Sequence, residues 1–177
     1  MIKDGGSEIH RVFMNDKTGE ATNKTRFMVG CSQGMNKGIH EWRIQVCQDH
    51  NEEIIGITTN VDDCERLMWI GYTKGDTYYF YGGDKNGEGA TIQTKVNGHR
   101  AFYSVDDYAW KKDDIVKIKL DCMEWKLSFY VNDKQIECQH GDKMVKEWNV
   151  VQKDCTYYPV ICLSKAMKDK SCIFKVC

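Results

Sequence analysis

The sequence predicts an all-β protein, a bent sandwich of antiparallel sheets with little or no helix. Three observations lead there. Apolar and polar residues alternate, as in "GIHEWRIQV" from Gly38 to Val46, where Trp42, Ile44 and Val46 alternate with Glu41, Arg43 and Gln45. A strand of this kind has one dry face and one wet face. The fifteen glycines lie between apolar stretches, where chain reversals belong. No segment sustains a 3.6-residue period: the best helical candidate, "DDCERLMWIGY", puts Cys64, Leu67 and Met68 on one face, but it is short and reads as a loop or a single turn. About a dozen short strands with frequent turns are the pattern of an antiparallel sandwich.

The elements follow in order. "SEIHRVFM" and "TRFMVGC" come first. "HEWRIQVC" and "EIIGITTN" follow, with the polar "QDHNE" between them expected as a hairpin. "TYYFYGG" and "GATIQT" flank the Gly-rich "GGDKNGEG". A meander occupies "DIVKIKLDCMEWKLSFYVNDKQIEC". In it Val116, Ile118 and Leu120 share one face and Lys117, Lys119 and Asp121 the other, and Leu127, Phe129 and Val131 repeat the alternation. "MEW" is its first turn and Asn132–Asp133 its second, since Asn and Asp tolerate the left-handed backbone of a two-residue hairpin. "TYYPVICLS" and "SCIFKVC" close the chain. Pro159, the only proline, has no N–H to give a ladder and is expected near a strand start or on an edge. The organisation expected is an N-terminal strand and extension over 1–24 and one compact sandwich over 25–177.

Composition narrows the function. Lys and Arg total 25, Asp and Glu total 26, and the net charge is -1. No global field favours nucleic acid or an anionic membrane. Mixed runs such as "WKKDDIVKIKLD" belong to a solvated surface. "MIKDGGSEIHRVF" lacks the apolar stretch of a signal peptide, and no apolar run approaches the ~20 residues of a membrane span. The expected setting is cytoplasmic. Nine cysteines are an odd number, which fits reduced thiols better than a disulfide framework. In that setting the "NKT" triplet at Asn23 has no glycosylation role.

The order of motifs resembles the SPRY family. That family carries "G-x-h-Y-W-E-V", then "I-G-V", then "G-D-x-I/V-G" leading to a strand that ends in Asp, then "L-x-F-x-x-N-G" and "Y-P-x-V/I". This chain has "GIHEWRIQV", "IIGITT", "KDDIVKIKLD", "KLSFYVND" and "YYPVICLS" in the same order, from about Thr25 to Cys177. It is similar to a distant member. Glu41 stands where the family has Tyr, and Arg43 where it often has Glu. Asp113 replaces the Gly of "G-D", with Asp114 in the Asp place, and Asp133 replaces the Gly of "N-G". Asp can stand in for Gly at such turns at modest cost. The resemblance implies a bent, concanavalin-like sandwich of two antiparallel sheets that binds peptide segments or protein surfaces with loops at one end.

Residues that could carry chemistry were weighed separately. "CQDH" (Cys47, His50) and "ECQH" (Cys138, His140) place thiol and imidazole close in sequence, but a nucleophilic thiol takes its base from another element. No C-x-x-C occurs, so the four converging ligands of a structural zinc are not expected, and Cys177 does not complete a prenylation box. "GGDKNGEG" lacks the G-K-[ST] ending of a phosphate loop and the acid spacing of a calcium loop. Asp62–Asp63, Asp106–Asp107 and Asp113–Asp114 are adjacent in sequence, whereas glycosidic chemistry wants carboxylates facing a gap of ~5–10 Å. The expectation is no catalytic residue, no metal and no cofactor.

Aromatic residues are the informative group: five Trp, nine Tyr and six Phe. Trp42 and Phe129 lie on apolar faces and are assigned to the core. Trp69, Tyr72, Tyr78, Tyr81, Trp110 and Trp148 fall where turns are expected. Aromatic and Arg side chains on loops of a rigid sandwich are common recognition material. The stretch from Asn60 to Asp76 resembles a variable SPRY loop, so Arg66, Trp69 and Tyr72 lead the contact candidates, followed by Tyr78, Tyr81 and Trp148. The function expected is a non-enzymatic protein–protein interaction module that binds another protein, alone or within a larger multi-domain protein or complex, without nucleic acid or membrane insertion. A lectin-like glycan binder and a structural subunit of a large assembly are the other readings. The galectin signature "H-x-N-P-R" with "W-G-x-E" is absent.

Overall fold

The alternating stretches form strands of two antiparallel sheets. The computed structural model describes residues 11–12, 26–30, 34–46, 54–60, 74–83, 89–105, 110–150, 155–164 and 174–176. The strands are β1 (Arg11–Val12), β2 (Arg26–Gly30), β3 (Ile39–Val46), β4 (Ile54–Thr58), β5 (Thr77–Tyr81), β6 (Thr91–Val96), β7 (His99–Ser104) and β8 (Ile115–Asp121). They continue with β9 (Lys126–Val131), β10 (Lys134–Gln135), β11 (Cys138–His140), β12 (Lys143–Val145), β13 (Trp148–Asn149), β14 (Tyr158–Ser164) and β15 (Phe174–Val176). One sheet has nine strands in the order β1-β2-β14-β4-β5-β6-β7-β11-β12. The other has six: β10-β9-β8-β3-β15, with β13 also paired to β9. No helix occurs among the described residues.

The inward face of each sheet supplies the core. From the six-stranded sheet come Trp42, Ile44, Val46, Val116, Ile118, Leu120, Leu127, Phe129 and Val131. From the nine-stranded sheet come Ile55, Ile57, Tyr78, Phe80, Ile92 and Ile161. Trp42 is buried as its alternation predicts, at 6% exposure. Rings bridge the gap between the sheets: Phe80 meets Phe129 edge-on at 5.8 Å, and Trp148 meets Tyr103 at 5.7 Å. Such arrangements add to area burial because the ring edge is positive and the face negative.

Turn chemistry fixes the register. Asn132 and Asp133 both have positive φ, 50° and 62°, the backbone of a type I′ hairpin. Asp113 also has positive φ, 71°. Both positions at which Asp replaces the family's Gly therefore keep the left-handed backbone for which Gly would be the default. Asp133 is further held by Lys117 Nζ at 2.9 Å and Arg43 Nη2 at 3.5 Å. Pro159 occupies the second position of β14, one residue before the β2 ladder begins at Val160, which suits its missing donor.

Two expectations are corrected. "QDHNE" does not join a hairpin, because β3 pairs with β8 and β15 whereas β4 pairs with β14 and β5 in the other sheet. A polar reversal can return a strand to its own sheet or carry it to the opposite one, and the loop's polarity does not choose. β7 is absent from the strands expected, although Asn97–Gly98 precedes it. Those residues have φ of 49° and 80° and make the tight β6–β7 turn, which Asn-Gly strongly favours.

Trp42→Ala should cost ~3–5 kcal/mol of stability through the cavity it leaves; urea denaturation measures it, and an unchanged midpoint would contradict the packing. A second expectation concerns pH. Lys117 hydrogen-bonds Asp133, and its charge and that of Arg43 add to the effect, holding the Asp133 carboxyl below its ordinary range. A depressed folded-state value contributes stability above the unfolded pKa and loses it as pH falls through the folded one. Any deficit of Asp133→Asn at neutral pH should therefore vanish in strong acid. Paired melts at the two pH values test this.

Candidate binding surface

The registers sort the connections between two ends of the sandwich. One end gathers the 59–76 connection, the Asn97–Gly98 turn, the Cys122–Trp125 turn and the Met35–Tyr157 bridge. The other gathers the 82–90 and 105–114 connections and the Asn132–Asp133 turn. The first end holds the stems of the candidate recognition loop and is the candidate surface.

Those stems are clamped to the sheet. Thr59 N donates to the Asp76 carbonyl at 2.9 Å, and Asp76 N donates to Thr59 Oγ1 at 2.9 Å. Asp76 Oδ1 accepts from Asn97 N at 2.9 Å, tying the loop base to the β6–β7 turn. The approach is close enough that a Cβ at Gly75 would lie 2.6 Å from Thr59 Oγ1, which accounts for glycine there. Asp76 is 4% exposed. Its Oδ2 and the neighbouring Thr77 Oγ1 are buried without a hydrogen-bond partner. Beside the clamp, Met35 and Tyr157 exchange backbone hydrogen bonds of 2.8 and 2.9 Å. Two exposed apolar side chains, Ile39 and Met123, lie at the same end of the six-stranded sheet. The Met123 turn is shaped by Asp121 Oδ1, which accepts from the Met123 and Glu124 amides; these bonds hold the Asp121 carboxyl below its ordinary range.

The six expected contact residues do not converge. Arg66, Trp69 and Tyr72 lie outside the described residues. Tyr78 is not at a turn but inside β5, 2% exposed, with its Oη donating to the Asn149 carbonyl at 3.4 Å and its ring edge-on to Tyr157. Trp148 is in β13, buried against Phe129 and Tyr103. Trp110, also expected at a turn, is buried against Phe80 with its indole on Gly82. Tyr81 is half-buried at the far end of β5 from the loop stems, ~13 Å along the strand. Sequence reasoning did not single out Asp76, Thr59 or Asn97. The available signal was a polar Thr-Asn and Gly-Asp at the two feet of one loop.

The groups weighed for chemistry serve structure where they are described. Asp114 accepts from Lys111 N and Asn132 Nδ2, both at 2.8 Å. Cys138 is buried and His140 is exposed against Tyr103. Burial pushes the Cys122 thiol up, with Asp121 adding to it, so it stays protonated. Cys122, Cys138 and Cys155 carry thiols rather than disulfides. Cys47, His50, Asp62, Asp63, Asp106 and Asp107 lie outside the described residues. Among the described residues no three His, Cys, Asp or Glu side chains are grouped to hold a metal, and no helix is long and apolar enough to cross a membrane.

No protein-family model matches this sequence, and no curated protein does. Solved structures are similar to it. The SPRY domain of human HERC1 aligns with a TM-score of 0.53 at 13% identity, over 86% of this chain and 82% of that one. The TRIM65 PSpry domain aligns with a TM-score of 0.50 at 15% identity, over 77% of this chain and 68% of that one. The chain has a distant SPRY-like fold.

Asp76→Ala should release the loop base. It leaves the Asn97 amide without its acceptor, a loss of ~1–3 kcal/mol for a buried group. Hydrogen exchange at Asn97 and Asp76 should accelerate while the β8 and β9 amides keep their protection. Unchanged exchange at Asn97 would show that the clamp does not hold.

Proposed function

We propose that this chain is a non-enzymatic interaction module that captures a segment of another protein with the loop surface at the clamped end of the sandwich. What supports this reading is the fixing of the loop stems. Thr59, Asp76 and Asn97 fasten both feet of the 61–73 segment to the nine-stranded sheet. That segment carries Arg66, Trp69 and Tyr72, side chains enriched at binding hot spots. A loop with fixed feet loses less conformational freedom when a partner docks. Trp69 and Tyr72 are the proposed apolar anchors, and Arg66 sets register and speeds encounter. Tyr78 and Trp148 support the surface from beneath through their packing, and Tyr81 belongs to the opposite end. The proposed setting is a reducing cytoplasm, in keeping with the thiols of Cys122, Cys138 and Cys155.

A pulldown from native extract read by mass spectrometry supplies the partner. Trp69→Ala or Tyr72→Ala should then weaken its binding by ~2 kcal/mol or more with the melting temperature nearly unchanged. Arg66→Ala should chiefly slow association and flatten its salt dependence, as rim charges do. If all three variants bind like the parent, the loop is not the site. If they melt early instead, the rings cap the sandwich.

A further inference from the structure

The outward face of the nine-stranded sheet is divided in two. On β14, β4 and β5 the outward positions Val160, Ile54, Gly56, Thr58, Thr77 and Tyr79 are buried. None of them belongs to the cluster between the sheets, so this half of the outer face is covered. From β6 to β12 the same face opens. Phe102 is 57% exposed and Met144 58%, two of the four exposed large hydrophobics among the described residues.

These side chains stand on strands, and the register sets their spacing. Phe102 pairs with Gln93, which accepts from Tyr79 Oη at 2.7 Å and donates to Thr91 Oγ1 at 3.0 Å. The row beside Phe102 is thus held in place. Ser104 pairs with Gln139, and Gln139 with Met144. Met144 therefore sits two strands across from Phe102 and two residues further along, ~12 Å away. Arg100, exposed, lies two residues from Phe102 in the other direction, ~7 Å along β7. Lys95 is paired with it in register. No outward position of β6, β7 or β11 carries an acid: they are Thr91, Gln93, Lys95, Arg100, Phe102, Ser104 and Gln139.

We propose that this open half-face is a second docking surface, distinct from the loop end, and that its occupant is an extended acidic peptide segment of a partner protein. The basic sign of the face selects an acidic occupant. Spacing selects the pattern. An extended chain advances ~3.3 Å per residue, so an acid facing Arg100 is followed two residues later by an apolar side chain on Phe102. A second apolar residue four positions further reaches Met144. The peptide reads acid-x-apolar-x-x-x-apolar, or the same pattern reversed.

A random peptide library displayed on phage, panned on the purified full chain, tests this. Enriched peptides should carry that pattern. Phe102→Asp, Met144→Asp and Arg100→Glu should each cut their binding by roughly tenfold or more, the scale of a lost anchor, with the melting temperature preserved. Trp69→Ala should leave these peptides unaffected, which separates this surface from the loop. Peptides that bind all three face variants like the parent, or no enriched peptide at all, would overturn the proposal. Enriched peptides lost only on Trp69→Ala would overturn it too, yet leave the loop reading standing. Two further outcomes reassign the face and overturn the peptide: a glycan-array signal abolished by Phe102→Asp, or a concentration-dependent dimer in ultracentrifugation abolished by the same change.

Discussion

Phe80 and Phe129 meet edge to face across the gap between the sheets, and the rest of the molecule is arranged around that contact. Stacked sheets lie ~10 Å apart, a distance that aliphatic side chains from the two faces fill only by interdigitating. Aromatic rings reach further. Trp110 packs on Phe80, and Trp148 on Phe129 and Tyr103, extending the contact into a row of rings through the core. The indole N–H groups of Trp42, Trp110 and Trp148 are buried without acceptors. These residues therefore contribute through area and ring geometry, and hydrogen bonding works against them. Loops and caps at both ends inherit their positions from this layer.

Turn residues translate that packing into register. A slip of one residue would turn every inward side chain outward. Asn132–Asp133 and Asn97–Gly98 prevent this at two hairpins by adopting backbone angles that few other residues accept. Asp133 gains a second role from its position, because its carboxylate meets Lys117 and Arg43 on the wet face. The replacement of a family glycine by Asp thus keeps the backbone conformation and adds an ion pair, which at this exposure contributes little to stability.

The parts legible in the sequence are those where a local rule and the global fold agree. β3, β8 and β9 each have one wet face, so alternation names their inward residues correctly, Trp42 and Phe129 included. Alternation fails for β4 and β5, which are buried on both faces. Without a wet face "TYYFY" carries no period, and its tyrosines look like loop residues when Tyr78 is in fact core. Trp148 misleads for another reason: β13 has two residues, too few to show any period. The choice of sheet for β4 is also non-local. It depends on pairing with β14, some hundred residues later in the chain, and no neighbouring residue encodes it. At the candidate surface the loop's aromatic content could be read, while the Asp76 clamp could not, since it joins three segments that are distant in sequence.

Both proposed surfaces draw on one property of the sandwich. A binding group that is already fixed leaves most of its contact energy for affinity, because less ordering remains to be done on docking. On the open half-face, strands fix Phe102, Gln93 and Met144 through the ladder itself. At the loop end, fixation must come from outside any strand, and a buried carboxylate with donors from two directions provides it. Burial of Asp76 is costly unless its oxygens are bonded, and only Oδ1 has a partner. The half that is satisfied joins the loop base to the sheet. The half that is not makes this the least settled point of the sheet's rim. A binding loop belongs beside such a point, since segments that adapt to partners come from the less stable parts of a fold.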